Sequence, residues 1–196
     1  LPSFIWYDAF SKPGTWPPLG LQLLEGLDEK VYTCAENQSI NRTITDFKQR
    51  SCDDSLQEFL TDRRGYGLKT KRKINVDEHI IEYKGEPITE AEMLAKGGRN
   101  ISYIFAVGQP VEKPYLDARH KGNKARFLNH RCGHGPKGPN CQMERWVVDN
   151  CARLILVAKR DIEIDEELTI NYDAAFEDEC WCGSPMCVST NGKNEA

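Results

Sequence analysis

No stretch of this sequence stays apolar long enough to cross a bilayer. The first twenty residues carry Asp8, Lys12 and four prolines, so they lack the unbroken apolar segment of a signal peptide. A soluble chain with no membrane partner is therefore expected. An excess of positive charge is also missing: 26 Lys and Arg stand against 30 Asp and Glu, a net charge of −4, which argues against a chain whose main task is gripping nucleic acid. The strand–helix alternation of a doubly wound nucleotide fold is absent too. With 196 residues, 39% of them hydrophobic, the chain can bury one real core but not two full domains.

What the chain does have is cysteine, eight in all, three of them within Cys180-Trp181-Cys182-Gly183-Ser184-Pro185-Met186-Cys187. A Cys-x-Cys pair is too close for an easy internal disulfide, but a tight turn can aim both sulfurs and a third at one tetrahedral ion, and zinc is the natural reading. A structural site needs a fourth ligand, for which Cys132, Cys141 and Cys151 are candidates. Eight cysteines together with sequons at Asn37, Asn41 and Asn100 also permit a secreted, disulfide-bonded glycoprotein, although sequons are short enough to arise by chance.

The hydrophobic pattern predicts many short strands and few helices. Residues 67–74 alternate apolar and basic, His79 to Tyr83 is a β-leaning run ended by Lys84-Gly85, and residues 101–107 form another. Thr89-Glu90-Ala91-Glu92 is a capping box that opens a helix stopped by Gly97-Gly98. Trp146 to Val148 and Arg153 to Ala158 flank residues 149–152, which read as a hairpin loop. Charge is segregated along the chain. Residues 61–73 carry a net charge of +5, as a solvated strand face or a contact to DNA phosphates, whereas residues 161–180 hold nine carboxylates and no Lys or Arg.

Three further segments carry a resemblance. Gly122-Asn123-Lys124-Ala125-Arg126-Phe127-Leu128-Asn129-His130-Arg131-Cys132, then Pro139-Asn140-Cys141, then Glu167-Leu168-Thr169-Ile170-Asn171-Tyr172 resemble the signature of SET-domain protein lysine methyltransferases. Gly65-Tyr66-Gly67 resembles that family's Gly-x-Gly turn, and Cys180 to Cys187 its post-SET zinc motif. Residues 139–146 are most similar to the Ash1 and NSD type enzymes, which methylate lysine 36 of histone H3.

This resemblance implies a mainly β (α+β) fold of several small sheets with a threaded C-terminal segment and a zinc-bound post-SET motif. The implied layout is an N-terminal extension over 1–33, a degenerate pre-SET segment over 34–57, the SET domain over 58–173, the post-SET motif over 174–188 and a tail over 189–196. The pre-SET segment counts as degenerate because only Cys34 and Cys52 precede Gly65, too few thiols for the family's zinc cluster. Phe4, Ile5, Trp6, Tyr7, Phe10 and Trp16 are expected to pack on the core in its place.

Residue roles also follow from the resemblance. S-adenosylmethionine is the implied cofactor, with Gly65, Tyr66, Gly67, Tyr103, Arg126, Asn129 and His130 as its binding residues; Asn129 takes the amino-acid portion and His130 the adenine edge. Tyr172 and Tyr103 are the implied catalytic residues, and Ile170 and Tyr172 line the lysine channel. Cys132, Cys180, Cys182 and Cys187 are the implied zinc ligands. The substrate is expected to be a histone tail on the nucleosome, drawn in part by the acidic run, and the place of action nuclear chromatin. A catalytically weak chromatin-binding module, or an enzyme for lysine 9 or lysine 4 of the same histone, is the alternative. Two departures from the family stand out: Arg131 with a long glycine-rich link over 133–138, and Ile170 where an aromatic is usual.

Overall fold

The computed structural model describes residues 29–31, 52–96, 103–107, 115–133, 138–148, 151–172, 180–182 and 187. The elements in chain order are β1 Glu29–Val31, β2 Leu56–Leu60, β3 Tyr66–Thr70, β4 His79–Tyr83, β5 Glu86–Ile88, a helix Glu90–Ala95, β6 Ile104–Ala106, β7 Tyr115–Asp117, β8 Asn129–His130, β9 Cys141–Val148, β10 Cys151–Ala158 and β11 Thr169–Ile170. They form four small sheets among the described residues: β1-β9-β10-β4, β5-β7-β6, and the pairs β2-β3 and β11-β8. Small separate sheets with few helices match the fold class expected from the sequence.

β4 occupies the predicted span, with Ile80, Ile81 and Tyr83 buried, and its neighbour β10 is buried over Leu154 to Ala158. The helix opens as its sequence dictates: the Thr89 hydroxyl accepts from Glu92 N, and the Glu92 carboxylate accepts from Thr89 N at 2.7 Å. The hairpin reading needs correction. β9 begins at Cys141 rather than Trp146, and Cys151 and Ala152 lie in β10 opposite Val148 and Val147, which leaves two residues between the strands in sequence instead of four.

The main core gathers Leu56, Leu68, Ile81, Tyr83, Leu154, Leu156, Leu168 and Ile170 from five strands and the segment before β11. Lys84 and Gly85 leave β4 against Asp117, where a Cβ on Gly85 would come within 2.8 Å of the Asp117 backbone. The Asp117 carboxylate is 6% exposed and takes Arg119 at 2.9 Å and Lys96 at 3.1 Å. Burial raises its pKa, but the hydrogen bonds from the Arg119 side chain and backbone and from Lys96 outweigh that and hold it at about 2. The expected N-terminal aromatics, Cys34, the sequons at Asn37, Asn41 and Asn100, Gly97-Gly98, residues 134–137 and the tail over 189–196 lie outside the described residues. Among the described residues no helix is long and apolar enough to cross a membrane.

Candidate active site and cysteine cluster

Residues 166–170 are held on three sides. β11 runs parallel to β8, Thr169 opposite Asn129 and Ile170 opposite His130, and the ladder continues as Arg131 N donates to Ile170 O at 2.9 Å. On the other side Leu168 N donates to Leu68 O at 2.7 Å and Thr70 N to Glu166 O at 3.2 Å, which ties the segment to β3. From the third side comes Asn140, 1% exposed. Its Nδ2 donates to Glu167 O at 2.8 Å, and its Oδ1 accepts from Thr169 N at 2.8 Å. One side-chain amide thus supplies the donor and acceptor that a neighbouring strand would otherwise provide.

This clamp delivers Tyr172 to the Asn129-His130 element. Tyr172 N donates to His130 Nδ1 at 3.0 Å, and the two rings lie 5.6 Å apart. Because Nδ1 accepts, a neutral imidazole carries its proton on Nε2, and burial pushes the ring below its usual pKa range. The Nε2 atom is buried and has no hydrogen-bond partner among the described residues. The Tyr172 hydroxyl donates to Leu128 O, and burial, with the Tyr103 phenol adding to it, pushes its pKa well above the ordinary tyrosine value. A raised pKa keeps the hydroxyl protonated at neutral pH. The Arg126 guanidinium stacks over the Tyr103 ring at 4.8 Å, and the Tyr103 carbonyl accepts from the buried Tyr83 hydroxyl at 2.9 Å.

The Gly65-Tyr66-Gly67 turn sits beside them. Gly65 has φ +67°, a conformation that costs glycine little, and nothing lies within 4 Å of where its Cβ would be. Gly67 is glycine for a different reason: a Cβ there would fall 2.8 Å from Glu167 Oε1 and 2.9 Å from the Phe59 ring. Glu167 itself takes Arg64 at 2.8 Å on Oε2 and Asn129 Nδ2 at 2.9 Å on Oε1. Asn129 Nδ2 also reaches Tyr66 O at 3.3 Å.

Four thiols meet nearby. Cys132 Sγ lies 3.5 Å from Cys180, 3.3 Å from Cys182 and 3.3 Å from Cys187, and all four cysteines are buried. Regular Zn–S tetrahedra have edges of roughly 3.8 Å, so the set can hold one metal ion with little movement. All four are free thiols, as is Cys141, and of the candidates for a fourth ligand it is Cys132 that lies with the other three. Cys141 instead sits 1% exposed in the main core, where burial drives its thiol pKa upward. The side chain of Cys151 lies outside the described residues. Trp181, between two of the ligands, lies under the Arg63 guanidinium at 5.5 Å.

The family profile described as SET domain matches residues 65–173. The chain belongs to the SET-domain family. A relative from Mycosarcoma maydis named histone-lysine N-methyltransferase, H3 lysine-36 specific, is 39% identical over 143 residues, covering 67% of this chain and 14% of the relative. Proteins of the same name from Schizosaccharomyces pombe and Aspergillus oryzae are 35% and 32% identical, covering 68% and 89% of this chain and 17% and 20% of theirs. The chain thus spans a fifth or less of the length of these relatives.

In this SET domain the residues singled out from the sequence converge: Tyr103, Arg126, Asn129, His130, Ile170 and Tyr172 form one neighbourhood, with Gly65, Tyr66 and Gly67 on its edge and the cysteine cluster behind His130. Ile170 is 2% exposed and packs in the main core. Two residues went unassigned by sequence reasoning although both lay in quoted motifs, the clamp Asn140 and the carboxylate of Glu167. Each acts through partners 26 to 103 residues away, and no local pattern encodes that. The two charge runs also meet each other: Lys69 pairs with Asp165 at 2.7 Å, and Lys73 with Asp161 at 3.3 Å and Glu163 at 3.5 Å.

Proposed function

We propose that this SET domain is the catalytic part of an S-adenosylmethionine-dependent protein lysine methyltransferase acting on lysine 36 of histone H3 in nuclear chromatin. The placement of Tyr172 against Asn129-His130 by the β8–β11 pairing carries the reading. The relatives, named as H3 lysine-36 specific histone-lysine N-methyltransferases, supply the substrate.

When bound, S-adenosylmethionine supplies an electrophilic methyl group on a positive sulfonium. The rest is the work of this chain. Asn129, His130 and the Gly65-Tyr66-Gly67 turn bind it, with Tyr103 and Arg126 beside them. The open space at Gly65 and an Asn129 Oδ1 that accepts nothing among the described residues suit such a guest. A lysine ammonium has an intrinsic pKa of ~10.4, and bringing it into dry surroundings beside buried Ile170 would disfavour its charged form. Tyr172 and the Leu128 carbonyl put two oxygens side by side to orient the amine, and alignment supplies most of the acceleration. Cys132, Cys180, Cys182 and Cys187 would hold a structural zinc ion, which would tie the C-terminal cysteines to the end of β8. Arg64, Lys69, Arg72 and Lys73 are each paired with a carboxylate, so any DNA contact through residues 63–73 would rest on Lys71 and compete with those pairs.

Radiolabelled methyl transfer to nucleosomes tests the proposal, with label expected on H3 and lost when its lysine 36 is replaced by arginine. Cofactor binding without label at any protein concentration would instead support a binding module. Tyr172→Phe is expected to keep fold and cofactor affinity while transfer falls by ~10²-fold. Because Ile170 offers neither a ring nor a hydroxyl to hold a water against the amine, the wild type is expected to pass the first methyl. Ile170→Tyr should shift products toward lower methylation, which mass spectrometry of the product peptide reads directly.

A further inference from the structure

Asn129 is expected to bind the amino-acid end of the cofactor, but an amide has two faces of opposite polarity, and only one of them suits an ammonium. Its nitrogen has two acceptors within reach, the Glu167 carboxylate at 2.9 Å and the Tyr66 carbonyl at 3.3 Å. Neither can donate, so the amide nitrogen must face both, and Oδ1 is left to point the other way. No residue among those described donates to Oδ1. Glu167 is itself held in place: Arg64 grips its other oxygen at 2.8 Å, and the Gly67 backbone lies where a Cβ would collide with it.

We propose that Glu167 is a positioning residue that fixes the Asn129 amide so that its Oδ1 accepts from the α-ammonium of S-adenosylmethionine. The proposal rests on the methyltransferase reading and names the chemical group that this side chain selects. In Glu167→Gln, Arg64 attracts the amide oxygen of the new side chain, whose NH2 then turns toward Asn129 and presses its amide to flip. A flipped amide would present N–H to the ammonium, donor against donor.

Calorimetry on the full chain with three ligands tests this. S-adenosylhomocysteine carries both ammonium and carboxylate, its decarboxylated analogue keeps only the ammonium, and 5′-methylthioadenosine has neither. Glu167→Gln should weaken the first two roughly tenfold, the scale of one lost charge-assisted hydrogen bond, and change the third less than twofold. Equal loss across all three would reduce Glu167 to a structural brace, and a loss that follows the carboxylate would reverse the assigned polarity. Either outcome overturns the proposal. A wild type that binds none of the three would overturn the methyltransferase reading with it, a separate and recognisable result.

Glu167→Asp keeps the charge for Arg64 but draws the carboxylate back from Asn129, and it should show the same ligand selectivity. If both variants fail to fold, wild-type amide spectra decide. The Asn129 side-chain protons should stay protected from solvent exchange when S-adenosylhomocysteine binds. Loss of that protection on binding overturns the proposal.

Discussion

The contact between residues 64–73 and 161–168 runs from a buried end to an exposed one, and the two ends use the same kinds of side chain differently. At the buried end the Arg64 and Glu167 side chains are 20% and 19% exposed, Leu168 bonds to Leu68, and Asn140 closes the segment from behind. At the exposed end the Lys73 and Asp161 side chains are 51% and 53% exposed, and one lysine is shared between two carboxylates. Coulomb attraction between solvated charges contributes little once side-chain entropy and salt are counted. A desolvated polar group with fixed partners costs far more to disturb. The buried end therefore places the site, and the exposed end serves mainly to neutralise two charge runs against each other. Arg63 over Trp181 extends the buried end to the cysteine cluster.

If the buried end places the site, the largest loss should come from its cysteine cluster. Cys182→Ser, or treatment with a strong chelator, should lower the zinc content from one per chain, expose the remaining thiols to alkylation and weaken cofactor binding by loosening the segment after Tyr172. A normal zinc content in that variant would break the four-cysteine assignment. Asn140→Ala comes next. It strands the Glu167 carbonyl and the Thr169 amide, so stability in urea should fall by about 3 kcal/mol.

The smallest effect belongs to the exposed end. Lys73→Ala should leave the urea midpoint unchanged within error, and added salt should erase whatever difference exists. The pH dependence has two limits. Hydrogen bonding from Val76 N, with Lys73 beside it, lowers the Asp161 pKa, so its contribution is present above the usual carboxylate range and lost as pH falls through the lowered value. The hydrogen bond to Asp161 raises the Lys73 pKa, so its contribution is complete below the usual lysine value and lost only as pH rises through the raised one. Stability that varied strongly between those limits would mean that the two ends are not as different as described.

What could be read from the sequence follows the range of the interactions involved. The Thr89 capping box and the β4 span depend on neighbours a few residues apart, and they appear where the pattern puts them. The site residues were found because they cluster into motifs that resemble a family. The start of β9 at Cys141 could not be seen in this way, because the Cys141 to Met143 stretch becomes a strand only against Leu156 to Ala158. The mutual pairing of the charge runs was also hidden. Each run by itself reads as a surface waiting for a partner, histone or DNA, and only the fold brings Lys69 to Asp165 across 96 residues.

That distance has a consequence for how the protein is made. Lys69 pairs with Glu167 in an isolated β-bridge that cannot form until nearly a hundred further residues have left the ribosome. Until then one side of β3 is an open edge, with unpaired backbone groups able to recruit a strand from another chain. The residues along and just beyond that edge include Lys69, Lys71 and Lys73, and lysine is the side chain that most discourages such recruitment. In the finished fold the acidic segment pairs with those lysines, Lys69 with Asp165 and Lys73 with Asp161.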